Sequence, residues 1–322
     1  MDEVTLGALL ASTLRVSTPL ILCALAGTLS ERSGVIDLGL EGKMLLTAFA
    51  AAAVGVGSGS MLLALGVALA VGVSLSMLHG FACVSHRGDQ VVLGMAITMT
   101  AAGLTVVLGI AWFQQGGQTP PLPEAVRLAP LLPGLAEAAR SVPLVGTVAG
   151  LGLLGHDLFV YGALAMVALV WWLLYRTRFG LRLRAAGENP AMIDAAGVSV
   201  KGMRYAALAL NGALSALAGS YLVLALTPSF IPNMTAGRGY MALAAMIFGK
   251  WHPLGALAAC LLFGFLEAAA IRLQGVALPG IGAVPVQAVQ SLPYLMTVVL
   301  LAGFIGQARA PAALGTPYVK ER

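Results

Sequence analysis

Four stretches of this chain hold no Asp, Glu, Lys or Arg: those between Lys43 and Arg87, Asp89 and Glu124, Arg204 and Arg238, and Arg272 and Arg309. A helix that crosses a bilayer needs about 20 mostly apolar residues, so each stretch has room for one or two crossings. Charged residues make up 10% of the chain, against roughly a quarter in soluble domains, too few to cover a soluble globule of 322 residues. A soluble enzyme, a disordered chain and a disulfide-stapled secreted domain are excluded. The runs are continuously apolar and rich in Ala, Leu and Gly, not alternating, which argues against a membrane β-barrel. The expected class is all-α: one polytopic membrane domain over 1–322, with about eight or nine transmembrane or half-membrane helices and a short cytoplasmic coupling helix.

Spans are expected at 7–29, 34–57, 61–84, 90–113, 157–175, 204–226, 238–249, 254–272 and 286–306. Twelve residues reach only about 18 Å as a helix, so 238–249 is expected to be a half-helix or a re-entrant piece. The connection after Tyr175 holds Arg176, Arg178, Arg182, Arg184, Lys201 and Arg204, six of the 18 basic residues, which places it in the cytoplasm. Counting outward from it puts Glu31-Arg32, His86-Arg87 and the 307–322 tail inside. The N-terminus, Gly55 to Ser60, the 114–156 connection and Thr227 to Gly237 fall outside. Pro120, Pro121, Pro123, Pro130, Pro133 and Pro143 break any long helix in 114–156, which reads as an external cap with at most one short helix. Trp112-Phe113 and Trp171-Trp172-Tyr175 read as interfacial belts. The net charge of +5 thus marks topology and contact with membrane lipid, and no nucleic acid polymer is expected. Cys23, Cys83 and Cys260 lack ligand or disulfide spacing and read as small apolar fillers.

Residues 176–204 are too long for a turn and too polar for a span. Glu188-Asn189-Pro190 reads as a helix start, because Asn caps and Pro tolerates the first helical position. Gly197 supplies a stop. The result is a short helix across the membrane plane between cationic arms. It could seat in a groove of a cytoplasmic protein or lie on anionic lipid.

This stretch resembles the coupling loop of permease subunits of ATP-binding cassette importers, in the family serving branched-chain amino acids, simple sugars and nucleosides. Ser30-Glu31-Arg32-Ser33-Gly34-Val35-Ile36-Asp37-Leu38-Gly39-Leu40-Glu41-Gly42 resembles that family's first signature, and Asp89-Gln90-Val91-Val92-Leu93-Gly94 a second. Gly187-Glu188-Asn189-Pro190 with Ala195-Ala196-Gly197-Val198 is similar to its coupling segment. Gly237-Arg238-Gly239-Tyr240-Met241-Ala242-Leu243-Ala244-Ala245 and Phe248-Gly249-Lys250-Trp251-His252-Pro253 are similar to its last block. The last two blocks are nearest the nucleoside and simple-sugar branch, although Thr98 stands where that branch is expected to have Asn. The resemblance implies a second permease (copy or paralogue), a cytoplasmic ATPase, an external solute-binding protein and a multi-pass location in a bacterial cytoplasmic (inner) membrane. It also implies a small neutral solute, nucleosides or nucleobases first and simple sugars next. No GxxxxGK[ST] loop occurs, so no cofactor is expected on this chain, and ATP-Mg belongs to the partner ATPase. The resemblance further implies ATPase coupling through Gly187, Glu188, Asn189, Pro190, Asp194, Ala195 and Gly197.

Polar groups within spans are costly and default to functional candidates. Asp37, Glu41, Gln90, Thr98, Asn211, Ser215, Arg238 and Glu267 are expected along the substrate path. Arg15 is expected to be neutralised by Glu41 or Asp37, and Arg238 to pair with Glu267. Gly34, Gly39 and Gly42 count against regular helix in that part of the second span, and an unwound segment there would expose backbone donors and acceptors to a ligand. Asn211, Ser215, Ala218, Gly219 and Leu222 share a helix face suited to close packing. His79 is expected to be a satisfied core group. No catalytic or metal constellation is visible, so an enzyme is not expected. The rival reading is an ion-coupled secondary transporter using Glu41 or Glu267.

Overall fold

The computed structural model describes residues 3–140, 148, 150, 152–273, 277–278, 282–283, 291, 295 and 309–320. Apart from residues 291 and 295, the expected span 286–306 lies outside the described residues, as do 141–147 of the external connection and 307–308 and 321–322 of the tail.

The described residues are all-α apart from a two-stranded turn pairing Ala277–Leu278 with Gly282–Ala283. The helices are α1 (Glu3–Arg32), α2 (Leu40–Ser58), α3 (Met61–Gly80), α4 (Gln90–Phe113), α5 (Pro133–Arg140) and α6 (Leu158–Arg176). They continue as α7 (Arg178–Glu188), α8 (Pro190–Ala195), α9 (Val200–Tyr221), α10 (Arg238–Phe248) and α11 (Pro253–Leu273). Among the described residues, seven stretches are long and apolar enough to cross a membrane. Capping explains several starts. The Asp89 and Asp157 carboxylates accept from the first backbone N–H groups of α4 and α6, and the Ser199 hydroxyl does so for α9. Such caps satisfy donors that a helix start leaves open.

The helix starting at Val200 is the most enclosed: 78% of its apolar window is buried, against 17% for α4. The first helix, α2 and α9 therefore form the centre, and α3, α4 and α6 present outer faces to lipid or to another subunit. Glycines set the closest approaches. A Cβ at Gly219 would overlap Thr47 and Met44 of α2, and one at Gly212 would overlap the Gly72 carbonyl of α3. The Asn211–Leu222 face is thus a packing face, as its small residues suggest. Cys23, Cys83 and Cys260 are free and buried.

Two helices start well inside the bundle. The second helix begins at Leu40, not at 34, because residues 33–39 are unwound. The other is α10, whose far end meets the end of α1: the Trp251 indole donates to Glu31 at 2.6 Å and Arg32 donates to the Trp251 carbonyl at 3.0 Å. Lys250 and Trp251 both adopt positive φ, 56° and 53°, which folds the chain back into α11. Eleven helical residues rise only about 16 Å, so the N-terminus of α10 lies near mid-depth.

At the opposite end, residues 114–140 pack over the segment joining α9 to α10. Thr119 donates its N–H to the Phe230 carbonyl at 3.1 Å and accepts the Phe230 N–H at 3.0 Å. Leu122 and Val126 are buried with Leu45, Phe49 and Phe230. Within residues 114–140 this cap holds one short α-helix, α5, and a 3-10 turn at Glu124–Val126, and residues 148, 150 and 152 are helical as well, so the connection holds more helix than the single short one expected.

Candidate functional site

The unwound segment and the first turn of α2 gather most of the expected path residues. Asp37 binds Lys43 Nζ and accepts the Gly39 N–H at 3.0 Å. Lys43 also donates to Asn211 Oδ1 at 3.1 Å, an atom that Ser76 shares at 3.1 Å. The Asn211 amide donates to the Ala26 carbonyl at 3.0 Å and to Ser30 Oγ at 3.3 Å. Asp37, Lys43, Asn211 and Ser76 are fully buried. A buried charge is tolerable only when paired and hydrogen-bonded, and here four helices supply the partners. Gln90, at the start of α4, accepts the Ile36 N–H at 2.7 Å while its amide nitrogen is unpartnered. Thr98 donates to the Gly94 carbonyl at 3.2 Å. A Cβ at Gly42 would press into the Thr98 backbone at 2.5 Å, so no larger residue fits there.

Glu41 faces the start of α10. Its carboxylate accepts the Gly237 N–H at 2.8 Å and the Gly239 N–H at 2.6 Å. A helix N-terminus carries partial positive charge and open donors, so the carboxylate closes α10 from outside it. The approach depends on glycine: a Cβ at Gly239 would lie 2.6 Å from the Glu41 backbone. Beside it, Arg238 donates to Glu267 at 2.9 Å and to the Met234 carbonyl at 3.2 Å. Glu267 and Pro253 are 14 residues apart on α11, a rise of about 21 Å, which agrees with the mid-depth start of α10. Ser215 stands apart, its hydroxyl bonded at 2.8 Å to the Asn211 carbonyl one turn earlier.

Two expectations are corrected. Arg15 pairs with neither Asp37 nor Glu41 and is exposed. Arg15 and Arg32 are 17 residues apart on α1, about 25 Å, whereas Ala26 and Ser30 are the α1 residues beside the cluster. His79 is not satisfied: its Nδ1 lies 3.7 Å from Asp37 and neither ring nitrogen has a hydrogen-bond partner. It borders a 300 Å³ apolar recess between α2, α3 and α4. Arg204, one of the basic residues of the cytoplasm-marked connection, is 1% exposed and donates to the Ser33 and Thr316 carbonyls.

The coupling segment folds as two helices. The second, α8, starts as expected: Asn189 Oδ1 accepts the Met192 N–H at 3.2 Å, Pro190 takes the first helical position, and Gly197 at φ +77° ends the turn. The preceding α7 was legible only as a cationic arm. Its Gly180 packs on the backbone of Leu174, and its Arg184 guanidinium lies 4.7 Å over the Tyr175 ring, a cation–π contact. Gly187 packs against the backbone of Arg32. Ala195 and Gly197 are exposed. Glu188 accepts the Ala312 N–H at 3.3 Å, and Asp194 binds Tyr318 and Lys320 of the tail at 2.9 and 3.2 Å. The Tyr318 hydroxyl, followed by Lys320, holds the Asp194 carboxyl below its ordinary range. A 380 Å³ recess opens here, lined by Asp194, Gly197, Ser199, Lys201, Tyr318 and Lys320.

Sequence reading missed Lys43 as the counter-ion of Asp37, because six positions is no helical repeat and only the unwound 33–39 segment makes them meet. The tail contacts carry no sequence signal at all.

Comparison with known proteins gives one family. The model of the branched-chain amino acid transport system permease component matches residues 9–305. A guanosine ABC transporter permease, NupQ of Bacillus subtilis, is 36% identical, covering 98% of this chain and 97% of its own. A nucleoside ABC transporter permease, NupC of Lactococcus lactis, is 35% identical over 99% of this chain and 98% of its own. A putative glucose ABC transporter permease, TsgC13 of Haloferax volcanii, is 33% identical over 84% of this chain and 79% of its own. No solved structure matches.

Proposed function

The chain belongs to the permease-component family of branched-chain amino acid transport systems, and from that premise we propose that it forms the path for a nucleoside or nucleobase in an ATP-binding cassette importer. It is a multi-pass transport subunit and not an enzyme. The cargo reading rests on the guanosine and nucleoside permeases that match nearly end to end; a simple sugar is the next choice. ATP-Mg is bound by a separate cytoplasmic ATPase, a solute-binding protein delivers cargo outside, and a second permease, copy or paralogue, completes the path.

The observation that carries the mechanism is α8 itself. It projects from the basic, cytoplasm-marked connection with Ala191 and Met192 exposed, as a handle for a soluble motor must. Just before it, at the end of α7, Gly187 touches Arg32 and the unwound segment that leads to Asp37 and Glu41. Helix N-termini and unwound backbone at mid-depth are the groups with which transporters meet polar solutes. Here the start of α10 is held by Glu41, and movement between the two would expose donors to a neutral heteroaromatic solute. Alternating access then needs two packings and no covalent chemistry.

The test is uptake of labelled guanosine into proteoliposomes containing the assembled complex and binding protein. Accumulation with ATP supplied to the motor's side, competed by other nucleosides, supports the reading. Uptake by this chain alone under an ion gradient would replace it with the secondary-transporter reading.

A further inference from the structure

Residues 309–320 lie against the coupling helices with more contacts than a loose tail needs. The Ala313 N–H donates to the Gly187 carbonyl at 2.8 Å, and the Gly315 N–H donates to the Gly34 carbonyl at 3.1 Å. Arg204, buried in the first turns of α9, reaches the Thr316 carbonyl at 3.0 Å and the Ser33 carbonyl at 3.3 Å. Four pieces of chain distant in sequence therefore meet at one point: Ser33-Gly34, Gly187, Arg204 and Ala313 to Thr316. The meeting is tight. A Cβ at Gly34 would lie 3.0 Å from Arg204 Nη2 and 3.1 Å from the Ala313 carbonyl, and one at Gly187 would overlap the Arg32 carbonyl.

The outer end of the segment is anchored on α8. The Tyr318 side chain packs on Ala186, Ile193 and Val200, and its hydroxyl donates to Asp194 at 2.9 Å. Lys320 joins Asp194 at 3.2 Å but is 73% exposed, and exposed pairs contribute little. The anchor is therefore the ring and hydroxyl of Tyr318. The inner end is anchored by Gly315, whose φ of +75° suits glycine and whose Cβ, if present, would sit 2.9 Å from Ile36. Ile36 is in turn tied through its N–H to Gln90, one residue before Asp37.

We propose that residues 309–320 are a strap that makes α8 and the unwound 33–39 segment move as one body, with Tyr318 and Gly315 as positioning residues. This rests on α8 being the motor's handle. Without the strap, α8 reaches the centre through the Gly187 contact that precedes it and through the Gly197 turn and α9, neither of which holds Asp194 or Ile193 to the unwound segment. With it, displacement of α8 is delivered to the backbone that carries Asp37 and Glu41.

The experiment uses the full chain in its complex, reconstituted in proteoliposomes, with ATP hydrolysis and guanosine uptake measured together. Tyr318→Ala and Gly315→Val should leave ATP hydrolysis within about twofold, the size of an ordinary surface change. Uptake per ATP should fall about fivefold, the lower end of a coupling between distant sites. Tyr318→Phe keeps the packed ring and should retain most of the coupling, which a requirement for the Asp194 bond alone would not allow. If Gly315→Val fails to accumulate, Tyr318→Ala decides. Unchanged uptake per ATP in Tyr318→Ala overturns the strap while leaving the importer reading intact. Uptake by the unmodified complex that ignores ATP overturns the importer reading and the strap with it.

Discussion

The Glu41 carboxylate accepts the Gly239 backbone N–H at 2.6 Å, so a side chain of α2 completes the first turn of α10 across the centre of the bundle. With the Gly237 contact at 2.8 Å it joins the two helices that begin inside the bundle. This joint is where the fold can change packing without breaking a regular helix.

Glu41→Gln keeps one acceptor oxygen and removes the charge facing the helix start. Hydrogen bonds to charged groups contribute about 1.5–3 kcal/mol, so part of that should be lost. The expected outcome is normal membrane insertion with a melting temperature lowered by a few degrees and uptake reduced at least about tenfold, since about 1.4 kcal/mol corresponds to that factor. Thermal unfolding in detergent and uptake by the complex check it.

Arg238 and Glu267 are each about a fifth exposed, 22% and 23%. Removing either alone leaves a mostly buried charge unmatched, so the losses of Arg238→Gln and Glu267→Gln should sum to more than the loss of the double variant. A double-mutant cycle should show a coupling of about 1 kcal/mol. Additive losses would mean that the pair contributes nothing beyond its two members.

The Gly212–Gly72 approach admits no side chain. Gly212→Val should abolish accumulation of folded protein, whereas Gly103→Val, where no atom lies within 4 Å of the added Cβ, should accumulate normally. Overpacking typically costs about 1–3 kcal/mol or more, and at a backbone-to-backbone contact neither partner can yield. Fluorescence-detected size exclusion of both variants checks it.

Asp194 is held below the usual carboxylate range, first by the Tyr318 hydroxyl and then by Lys320. A depressed acid favours the folded contact above its unfolded value, about 3.9, and loses that contribution as pH falls through the lower folded value. Docking of residues 313–318 should therefore be constant from neutral pH down to about pH 5 and weaken only below about pH 4. Amide exchange of Ala313 and Gly315, followed across that range, reads it; loosening already near pH 6 would point to another group.

The sequence carries much of this architecture, for identifiable reasons. Hydropathy locates α4 to the residue, because Asp89 caps one end and the apolar run stops at Phe113. Asn189-Pro190 and Gly197 mark α8 because caps are local chemistry. Arg238 with Glu267 was legible because both depths follow from helix rise. The Asp37–Lys43–Asn211 cluster was not, since it depends on an unwound segment and on helices 168 positions apart. Arg15 was misjudged because a lone charge in an apolar run says nothing of which direction it faces. The Tyr318–Asp194 contact joins positions 124 apart and leaves no periodic trace.

The most direct measurement is the accessibility of a cysteine at Met192, which is 58% exposed on α8, while Cys23, Cys83 and Cys260 are buried. In sealed cells carrying Met192→Cys, a membrane-impermeant maleimide added outside should leave the protein unlabelled. Labelling should appear after permeabilisation and be blocked when the partner ATPase is co-produced. Labelling from outside in intact cells would contradict a cytoplasmic handle, and with it the mechanism built on α8.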